Sequence, residues 1–237
     1  MHGLLHQGCF SFRTSTQKNG VTMLIRIDGA TKSFDGLKVL DGVSFHVPKG
    51  QRLIILGQNG AGKTTLLRSM LGQYRLDSGS IRINDLDPTR QRKEVLSGIA
   101  FIPQLPPPLP FALKVLFDYA EQTSGTRGKE VVEFCRRFGL DVKEHIDKPF
   151  DRLSGGMKQK VLASLAFARH APIMFFDEPT ANLDPESRRT FGEMICSEAF
   201  RETTMIFISH HVEELGNVLN RAIWLDFGRI VKDDVIR

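Results

Sequence analysis

The chain has 237 residues, of which 41% are hydrophobic and 25% charged, values that are ordinary for a globular protein with a packed core. Its net charge of +5 allows contact with anionic lipid or nucleic acid but requires neither, and we expect no nucleic-acid partner. No apolar run approaches the ~18 residues that a membrane-spanning helix needs, so we expect no transmembrane helix. The three cysteines form no C-x-x-C pair, which indicates a reducing cytosol and no structural metal.

Residues 1–22 differ in composition from the rest of the chain. They are rich in Ser, Thr, Gly, Gln and Asn, and their few apolar residues show no period. Leu4 and Leu5 are too short an apolar run for a signal peptide. We expect a disordered N-terminal extension over residues 1–22, or an upstream start codon with Met23 as the true beginning. A single folded domain is expected over residues 23–237.

An antiparallel β region is predicted next. Residues 24–27 begin a strand, residues 35–36 form a turn, and apolar residues alternate with polar ones from Val43 to Val47. Phe34 lies in this region. Its ring could pack within the β layer or stack on a flat ligand, and its position alone favours packing.

Residues 57–65 read G-Q-N-G-A-G-K-T-T and fit the phosphate-binding pattern G-x-x-x-x-G-K-[ST]. The apolar run at residues 53–56 predicts a buried strand before the loop, and a helical apolar period follows it. Glycines let backbone N–H groups face a phosphate, and the helix N-terminus adds its positive end. Lys63 would reach the β- and γ-phosphates, and the Thr64 hydroxyl would bind Mg²⁺. The residues expected at the nucleotide are Gly57, Asn59, Gly60, Ala61, Gly62, Lys63, Thr64 and Thr65.

A helical block interrupts the α/β pattern. The apolar run at residues 99–102 predicts a strand, which Pro103 ends, and Gln104 follows. Four prolines between residues 106 and 110 make the next segment stiff and extended, either a rigid connector or a surface that receives a partner's helix. An α-helical subdomain is expected over about residues 105–170, with helices at residues 113–122, 129–138 and 157–169.

Two carboxylates end the strand that resumes the core. Residues 173–176 are all apolar, as expected for a strand buried on both faces, and Asp177 and Glu178 follow them. Ligands of open α/β sheets bind at the carboxyl ends of the strands, which places both carboxylates at the nucleotide. Asp177 would hold Mg²⁺, and Glu178 would orient and deprotonate the attacking water. Further strands are predicted at residues 205–208 and 222–225.

The start of the third predicted helix could form a second anion site. Ser154 suits an N-cap, and Gly155 and Gly156 leave backbone N–H groups bare at the positive helix end. If this segment is considered in isolation, the default interpretation is a plain capped helix start. One chain needs only one site for one triphosphate, whereas two chains that face each other would use both.

In combination these motifs resemble the ATP-binding cassette (ABC) ATPases over residues 23–237. All of them occur in the order found in that family. The resemblance implies an α/β fold, with a P-loop NTPase core, an N-terminal antiparallel β subdomain and an inserted α-helical subdomain. The matching motifs are the phosphate loop (57–65), the Q-loop (Gln104), the signature (153–157), the Walker B strand with its catalytic carboxylate (173–178), the D-loop (182–184) and the switch histidine (His210).

The resemblance implies that two such domains pair head to tail and enclose two ATP molecules. Each ATP would lie between the phosphate loop of one chain and Ser154, Gly155 and Gly156 of the other. Gln104 would contact Mg²⁺ and sense the transport partner, and Asp184 would couple the two sites. Hydrolysis would then reopen the dimer.

The resemblance also assigns roles to single residues. Glu178 would act as general base and His210 would hold the γ-phosphate. Phe34 would stack on adenine, which reverses the preference for packing. The implied catalytic residues are Glu178, His210, Lys63 and Gln104, and the implied Mg²⁺ ligands are Thr64, Gln104 and Asp177.

This sequence departs from the family pattern at a few positions. Phe34 stands where Tyr is usual, which keeps the stacking but loses a hydroxyl contact. Residues 159–160 are Gln-Lys where Gln-Arg is usual. His211 follows His210 where an acidic or polar residue is common, so the two histidines could exchange roles. None of these departures removes a catalytic group.

Since the chain carries no membrane span, we expect it to energise a separate transmembrane permease subunit from the cytoplasmic face of the membrane. It would do so as a homodimer or paired with another cassette domain. The compact helical block and the motif details favour export over import. The alternative is a soluble cassette ATPase acting on nucleic acid or ribosomes, which the single cassette and the lack of a long coiled coil disfavour.

Overall fold

The computed structural model describes residues 17–18, 21–209, 215 and 218–236. The strands are β1 (Gln17–Lys18), β2 (Val21–Phe34), β3 (Leu37–Pro48), β4 (Arg52–Leu56), β5 (Ser78–Ile83), β6 (Ile99–Ile102), β7 (Ile173–Asp177), β8 (Thr204–Ile208), β9 (Arg221–Asp226) and β10 (Arg229–Val235). The helices are α1 (Lys63–Met70), α2 (Arg92–Ser97), α3 (Leu113–Ser124), α4 (Gly128–Arg137), α5 (Gly155–Ala168) and α6 (Pro185–Cys196).

A six-stranded sheet in the order β10-β9-β4-β8-β7-β6 forms the centre of the molecule. Its strands are parallel except β10, which runs antiparallel to β9. Side chains of β4 alternate between the two faces: Leu53 and Ile55 join one core cluster, and Ile54 and Leu56 join the other. Because both faces are covered, such strands read as continuous apolar runs, which explains why the sequence predicts them well.

The two faces of this sheet pack against different layers. One face packs against α3 to α6 in a core that contains the fully buried rings of Phe167 and Phe176. The other packs against α1 and the antiparallel sheet β1-β2-β3, with β5 paired to β2. Only β8 separates β4 from β7 in the sheet. The carboxyl ends of β4 and β7 therefore meet at one edge, which positions the functional site.

The predicted helices at residues 113–122, 129–138 and 157–169 are confirmed as α3, α4 and α5, with ends shifted by at most two residues. Helices α2 and α6 were not predicted. The start of α6 carried a usable signal, since Asp184 is its N-cap and Pro185 opens its first turn. Among the described helices, none combines the length and hydropathy that a bilayer span requires.

Regular structure begins earlier than predicted. β1 pairs antiparallel with the first two residues of β2, Gln17 with Thr22 and Lys18 with Val21. Such pairing uses main-chain groups and needs no apolar period, so the composition of this segment did not indicate it. The rest of residues 1–22 lies outside the described part of the chain, and the disorder expected there stays a prediction.

Candidate functional site

The loop between β4 and α1 is shaped by glycines. Gly60 and Gly62 have φ angles of 85° and 102°, in the left-handed region that side chains disfavour. At Gly62 an added Cβ would lie 2.5 Å from the carbonyl oxygen of Val39, because β3 passes directly over the loop. Gly62 is also the N-cap of α1. The loop therefore packs closely against β3, and its last glycine leads directly into α1.

Lys63 is the first residue of α1 and is 7% exposed. Its Nζ donates to the carbonyl oxygens of Gly57 at 2.6 Å and Gln58 at 3.0 Å. Burial lowers the pKa of Lys63, while the nearby carboxylates of Glu178 and Asp177 oppose this. The ammonium group of Lys63 therefore contacts the carbonyl oxygens of the loop. A bound phosphate group would place a full negative charge next to this ammonium group.

Asp177 ends β7 and is 8% exposed. Burial raises the pKa of Asp177, and the adjacent Glu178 raises it further, against the opposing charges of Arg68 and Lys63. A buried carboxylate with a raised pKa gains most from a bound cation, because the cation stabilises its charged form. Asp177 is thus electrostatically suited to hold a metal ion.

Glu178 has a left-handed backbone with φ of 47°, a conformation that costs of order 1–3 kcal/mol in a non-glycine residue and clusters at functional sites. Its N–H donates to the carbonyl oxygen of Ile208 at 2.8 Å, which fixes the turn after β7 to the end of β8. Ser209 Oγ donates to Glu178 Oε2 at 3.1 Å. Ser209 was not among the expected site residues, although it lies one residue before the expected switch histidine.

These elements enclose a cleft of about 170 Å³ at the carboxyl edge of the sheet. It brings together most of the residues expected from the phosphate loop, the Q-loop and the Walker B strand. Val39 and Ile208 also line it, although neither carries a motif, because β3 begins and β8 ends beside the loop. The lining is Val39, Asn59, Gly60, Ala61, Gly62, Lys63, Thr64, Thr65, Gln104, Asp177, Glu178 and Ile208.

The expected Mg²⁺ ligands share this cleft. Thr64 contributes a hydroxyl, Gln104 an amide and Asp177 a carboxylate, and all three residues line its wall. Mg²⁺ prefers such hard oxygen donors and is commonly bound by one or two carboxylates together with substrate phosphates. The residues present therefore fit the ion.

The signature residues lie elsewhere. Ser154 caps α5, as expected, and its Oγ accepts a hydrogen bond from the N–H of Met157 at 3.2 Å. Ser154 and Gly155 are exposed, and neither they nor Gly156 line the cleft. Within one chain, the capped start of α5, where a second anion site was expected, is thus separate from the cleft of the phosphate loop.

Three further expected residues, Gly57, Phe34 and Asp184, also lie outside the cleft lining. Phe34 is 39% exposed, and its ring meets Tyr74 edge-on with 5.2 Å between the centroids. Asp184 forms an ion pair with Lys160 of 2.8 Å, and this contact, with hydrogen bonds from Ser187, holds the pKa of Asp184 well below its usual range. His210 falls outside the described residues.

A glycine loop around a buried lysine, facing two carboxylates at the end of a nearby parallel strand, defines a P-loop nucleoside triphosphatase. The chain belongs to the ABC transporter family, whose model matches residues 40–181.

Individual relatives agree with this assignment. The chain is 30% identical over 225 residues to the Nod factor export ATP-binding protein I of Paraburkholderia xenovorans (strain LB400), covering 88% of this chain and 70% of the relative. It is 32% identical over 215 residues to the aliphatic sulfonates import ATP-binding protein SsuB 1 of Rhizobium johnstonii (strain DSM 114642 / LMG 32736 / 3841), covering 88% of this chain and 76% of the relative.

The fold also matches a solved dimeric structure of an ATP-binding cassette in a post-hydrolysis state, bound to ADP and Pi. The TM-score is 0.79 at 21% identity, with 90% of this chain and 99% of the other covered. Together these findings confirm the family and the fold class expected from the sequence. They also confirm the class of enzyme, an ATPase of the ATP-binding cassette type.

Proposed function

We propose that this chain hydrolyses ATP at a site completed by a second cassette, and that it powers a separate membrane subunit. One observation carries this proposal. Ser154 and Gly155 form the exposed, capped start of α5, which lies apart from the cleft that contains Lys63 and is suited to bind an anion. A head-to-tail dimer, built from two copies or from this chain and another cassette, would bring both half-sites onto each ATP.

The chemistry follows from the cleft. Lys63 and the loop N–H groups would bind the phosphates, and Thr64, Gln104 and Asp177 would hold Mg²⁺, which would neutralise phosphate charge. Glu178, oriented by Ser209, takes the proton of the attacking water. By the family resemblance, His210 holds the γ-phosphate.

The remaining assigned roles concern the base and the communication between sites. Phe34 presents an exposed ring near the end of β2, suited to stack on adenine from one side. Asp184 couples the two sites, again by the family resemblance.

A hydrophobic surface supports docking of a membrane subunit. Leu105 and Phe111 of the proline-rich segment are 77% and 52% exposed, and Val115 and Tyr119, one turn apart on α3, are 46% and 64% exposed. A neighbouring groove of about 410 Å³ is lined by Tyr119 and by residues of α5 such as Leu162. Exposed apolar patches of this kind mark interaction sites. This surface would place the chain on the cytoplasmic face of a membrane.

We propose export as the direction of transport. The Nod factor relative is named for export, and by the family resemblance the compact helical block of this chain favours the same direction. The sulfonate relative is named for import at similar identity. Reconstitution with the co-purified membrane subunit in vesicles, followed by assay of ATP-dependent movement of the cargo, tests the direction. If this chain is recovered only in a soluble fraction that also contains RNA, the alternative of an ATPase acting on nucleic acid would be favoured.

The central test is Glu178→Gln. Removal of the base should lower hydrolysis at least ~100-fold, since general acid–base catalysis contributes about 10²–10⁴. Binding of ATP and an ATP-dependent dimer should persist, as measured by size-exclusion chromatography with and without ATP. Glu193→Gln, an exposed site on α6, is the matched control and should behave as wild type. A normal rate of ATP hydrolysis by Glu178→Gln would contradict the role of Glu178 as general base.

A further inference from the structure

The ring of Phe34 lies at the end of a β-hairpin that the sheet supports on one side only. Phe34 is the last residue of β2, and a two-residue turn with positive φ angles follows it at residues 35–36. β2 pairs with β5 only as far as Thr31, which faces Ser78. Beyond that pair, β3 is the only described strand that neighbours β2. The orientation of the Phe34 ring therefore depends on side-chain contacts from outside the sheet.

Tyr74 provides the first of these contacts. It lies in the loop at residues 71–77 between α1 and β5. Its ring centroid is 5.2 Å from that of Phe34 at an interplanar angle of 71°, an edge contact that aromatic pairs prefer. The hydroxyl of Tyr74 accepts a hydrogen bond of 2.9 Å from Nη1 of Arg68 on α1. Tyr74 thus connects the Phe34 ring to the helix that begins at the phosphate loop.

Lys32 provides the second contact. Its Nζ lies over the Phe34 ring, 5.2 Å from the centroid, within the range of a cation–π interaction. The side chain of Lys32 is 18% exposed, and Nζ donates to Asp77 at 2.9 Å. Asp77 also accepts from the N–H of Ser33 at 2.6 Å, and its own N–H donates to the carbonyl oxygen of Thr31 at 2.8 Å. The ammonium group is therefore held in place over the ring.

These contacts orient the ring without burying it. Phe34 remains 39% exposed, so part of its ring surface is left for a flat ligand. Neither Lys32 nor Tyr74 lines the phosphate-loop cleft, so neither is placed to bind phosphate. A side chain that is ordered before its ligand arrives loses less conformational entropy on binding. Contacts of this kind therefore favour a ring that binds over a ring that only packs.

We propose that Lys32 and Tyr74 are positioning residues that hold the Phe34 ring for stacking on the adenine base. The inference rests on the stacking role of Phe34 proposed above. The two residues act on the base through Phe34, whereas Lys63 and the loop N–H groups act on the phosphates. Loss of either contact should weaken the binding of a nucleotide but not the binding of a phosphate chain that has no base.

The test compares ADP with inorganic pyrophosphate by isothermal titration calorimetry. Lys32→Met keeps the aliphatic stem and removes the charge, and Tyr74→Leu removes the ring. Each variant should lose affinity for ADP roughly three- to tenfold, the size expected for one cation–π or aromatic contact. The affinity for pyrophosphate should stay at the wild-type value, which also shows that the variants fold. In the ATPase assay, KM for ATP should rise while kcat is unchanged.

Conservative variants and a matched control separate positioning from general stability. Lys32→Arg keeps the cation and Tyr74→Phe keeps the ring, so both should bind ADP as the wild type does. Lys232→Met is the control: it removes a cation 4.7 Å from the ring centroid of Trp224 and an ion pair with Asp234, both away from Phe34. It should leave both affinities unchanged.

Phe34→Leu distinguishes failure of this inference from failure of the stacking role. If Lys32 and Tyr74 act through the ring, adding Lys32→Met or Tyr74→Leu to Phe34→Leu should cause no further loss of affinity for ADP. Wild-type affinity of Phe34→Leu for ADP would overturn the stacking itself. Weaker binding by Phe34→Leu, with Lys32→Met and Tyr74→Leu at wild-type affinity, would overturn only the positioning roles. An equal loss of affinity for ADP and pyrophosphate would also overturn them, because the contacts would then support the phosphate loop.

Discussion

Lys63 and Asp177 are buried groups of opposite charge on the same cleft, and each is poorly solvated. Burial lowers the pKa of Lys63 and raises the pKa of Asp177, so in both cases it disfavours the charged form. A triphosphate supplies negative charge to the lysine, and a divalent cation supplies positive charge to the aspartate. The cleft is therefore suited to the metal–nucleotide pair more than to either ion alone, which supports the assignment of Asp177 to Mg²⁺.

Gly62 gives a test of the loop geometry. In Gly62→Ala the new Cβ would lie 2.5 Å from the carbonyl oxygen of Val39 while φ stays at 102°, so the loop has to move. We expect the affinity for ATP to fall about tenfold or more, equivalent to about 1.4 kcal/mol, as measured by titration with a fluorescent ATP analogue. The free energy of unfolding should fall by about 1–3 kcal/mol for the strained conformation.

Gly139→Ala is the matched control for this variant. Gly139 follows α4, has φ of 69° and has nothing within 4 Å of an added Cβ. It should lose stability for the same conformational reason but keep the wild-type affinity for ATP. Equal affinities for both variants would show that the close approach to Val39 does not shape the site.

The strands were more predictable than the helices. β6 and β7 appear in the sequence as apolar runs because helices or strands cover both of their faces, and β6 has the predicted bounds, Ile99–Ile102. α2 is short, with only Val95 buried, so no apolar period marks it. β1 consists of two residues that pair with the start of β2. The missed elements therefore have different causes: α2 and β1 are too short to show a period, whereas α6 carries a local start signal at Asp184 and Pro185.

The site residues also differ in whether the sequence could predict them. Lys63, Gln104 and Asp177 carry motifs, and the parallel topology brings their strand ends to one cleft. Val39 and Ser209 carry no motif and enter the site only because β3 and β8 lie beside the loop and Glu178. Their side chains could be found only after the strand order was known.

The exposed face of α3 gives a prediction about the membrane partner. Tyr119→Lys places a charge on a side chain that is 64% exposed beside the apolar groove. Association with the membrane subunit should weaken at least ~tenfold in a pull-down from solubilised membranes, since buried aromatic anchors often contribute 2 kcal/mol or more at interfaces. The ATPase rate of the isolated chain should not change.

Val231→Lys controls for the added charge. Val231 is also 64% exposed but lies on β10, away from α3 in the fold. This variant should bind the membrane subunit as the wild type does. Loss of binding by both variants would mean that the charge, and not the α3 face, is responsible.

The separation of the two half-sites makes each chain catalytically incomplete, and this can be tested by mixing variants. Lys63→Ala removes the phosphate-binding ammonium, and Ser154→Arg puts a bulky side chain at the exposed end of α5. Each variant alone carries the same defect in both sites of a homodimer and should be inactive. In a mixed dimer, the intact Lys63 of one chain meets the intact Ser154 of the other, so one of the two sites is whole.

Mixing the two inactive proteins should therefore restore hydrolysis, up to about half of the wild-type rate if the two sites act independently and less if they are coupled. The mixed dimer should first be verified by co-elution of differently tagged chains, since inactivity without mixing would be uninformative. A verified mixed dimer that binds ATP but shows no activity would contradict a head-to-tail arrangement with independently acting sites. Recovery of activity in the same dimer would show that ATP is both the substrate and part of the interface between two cassettes.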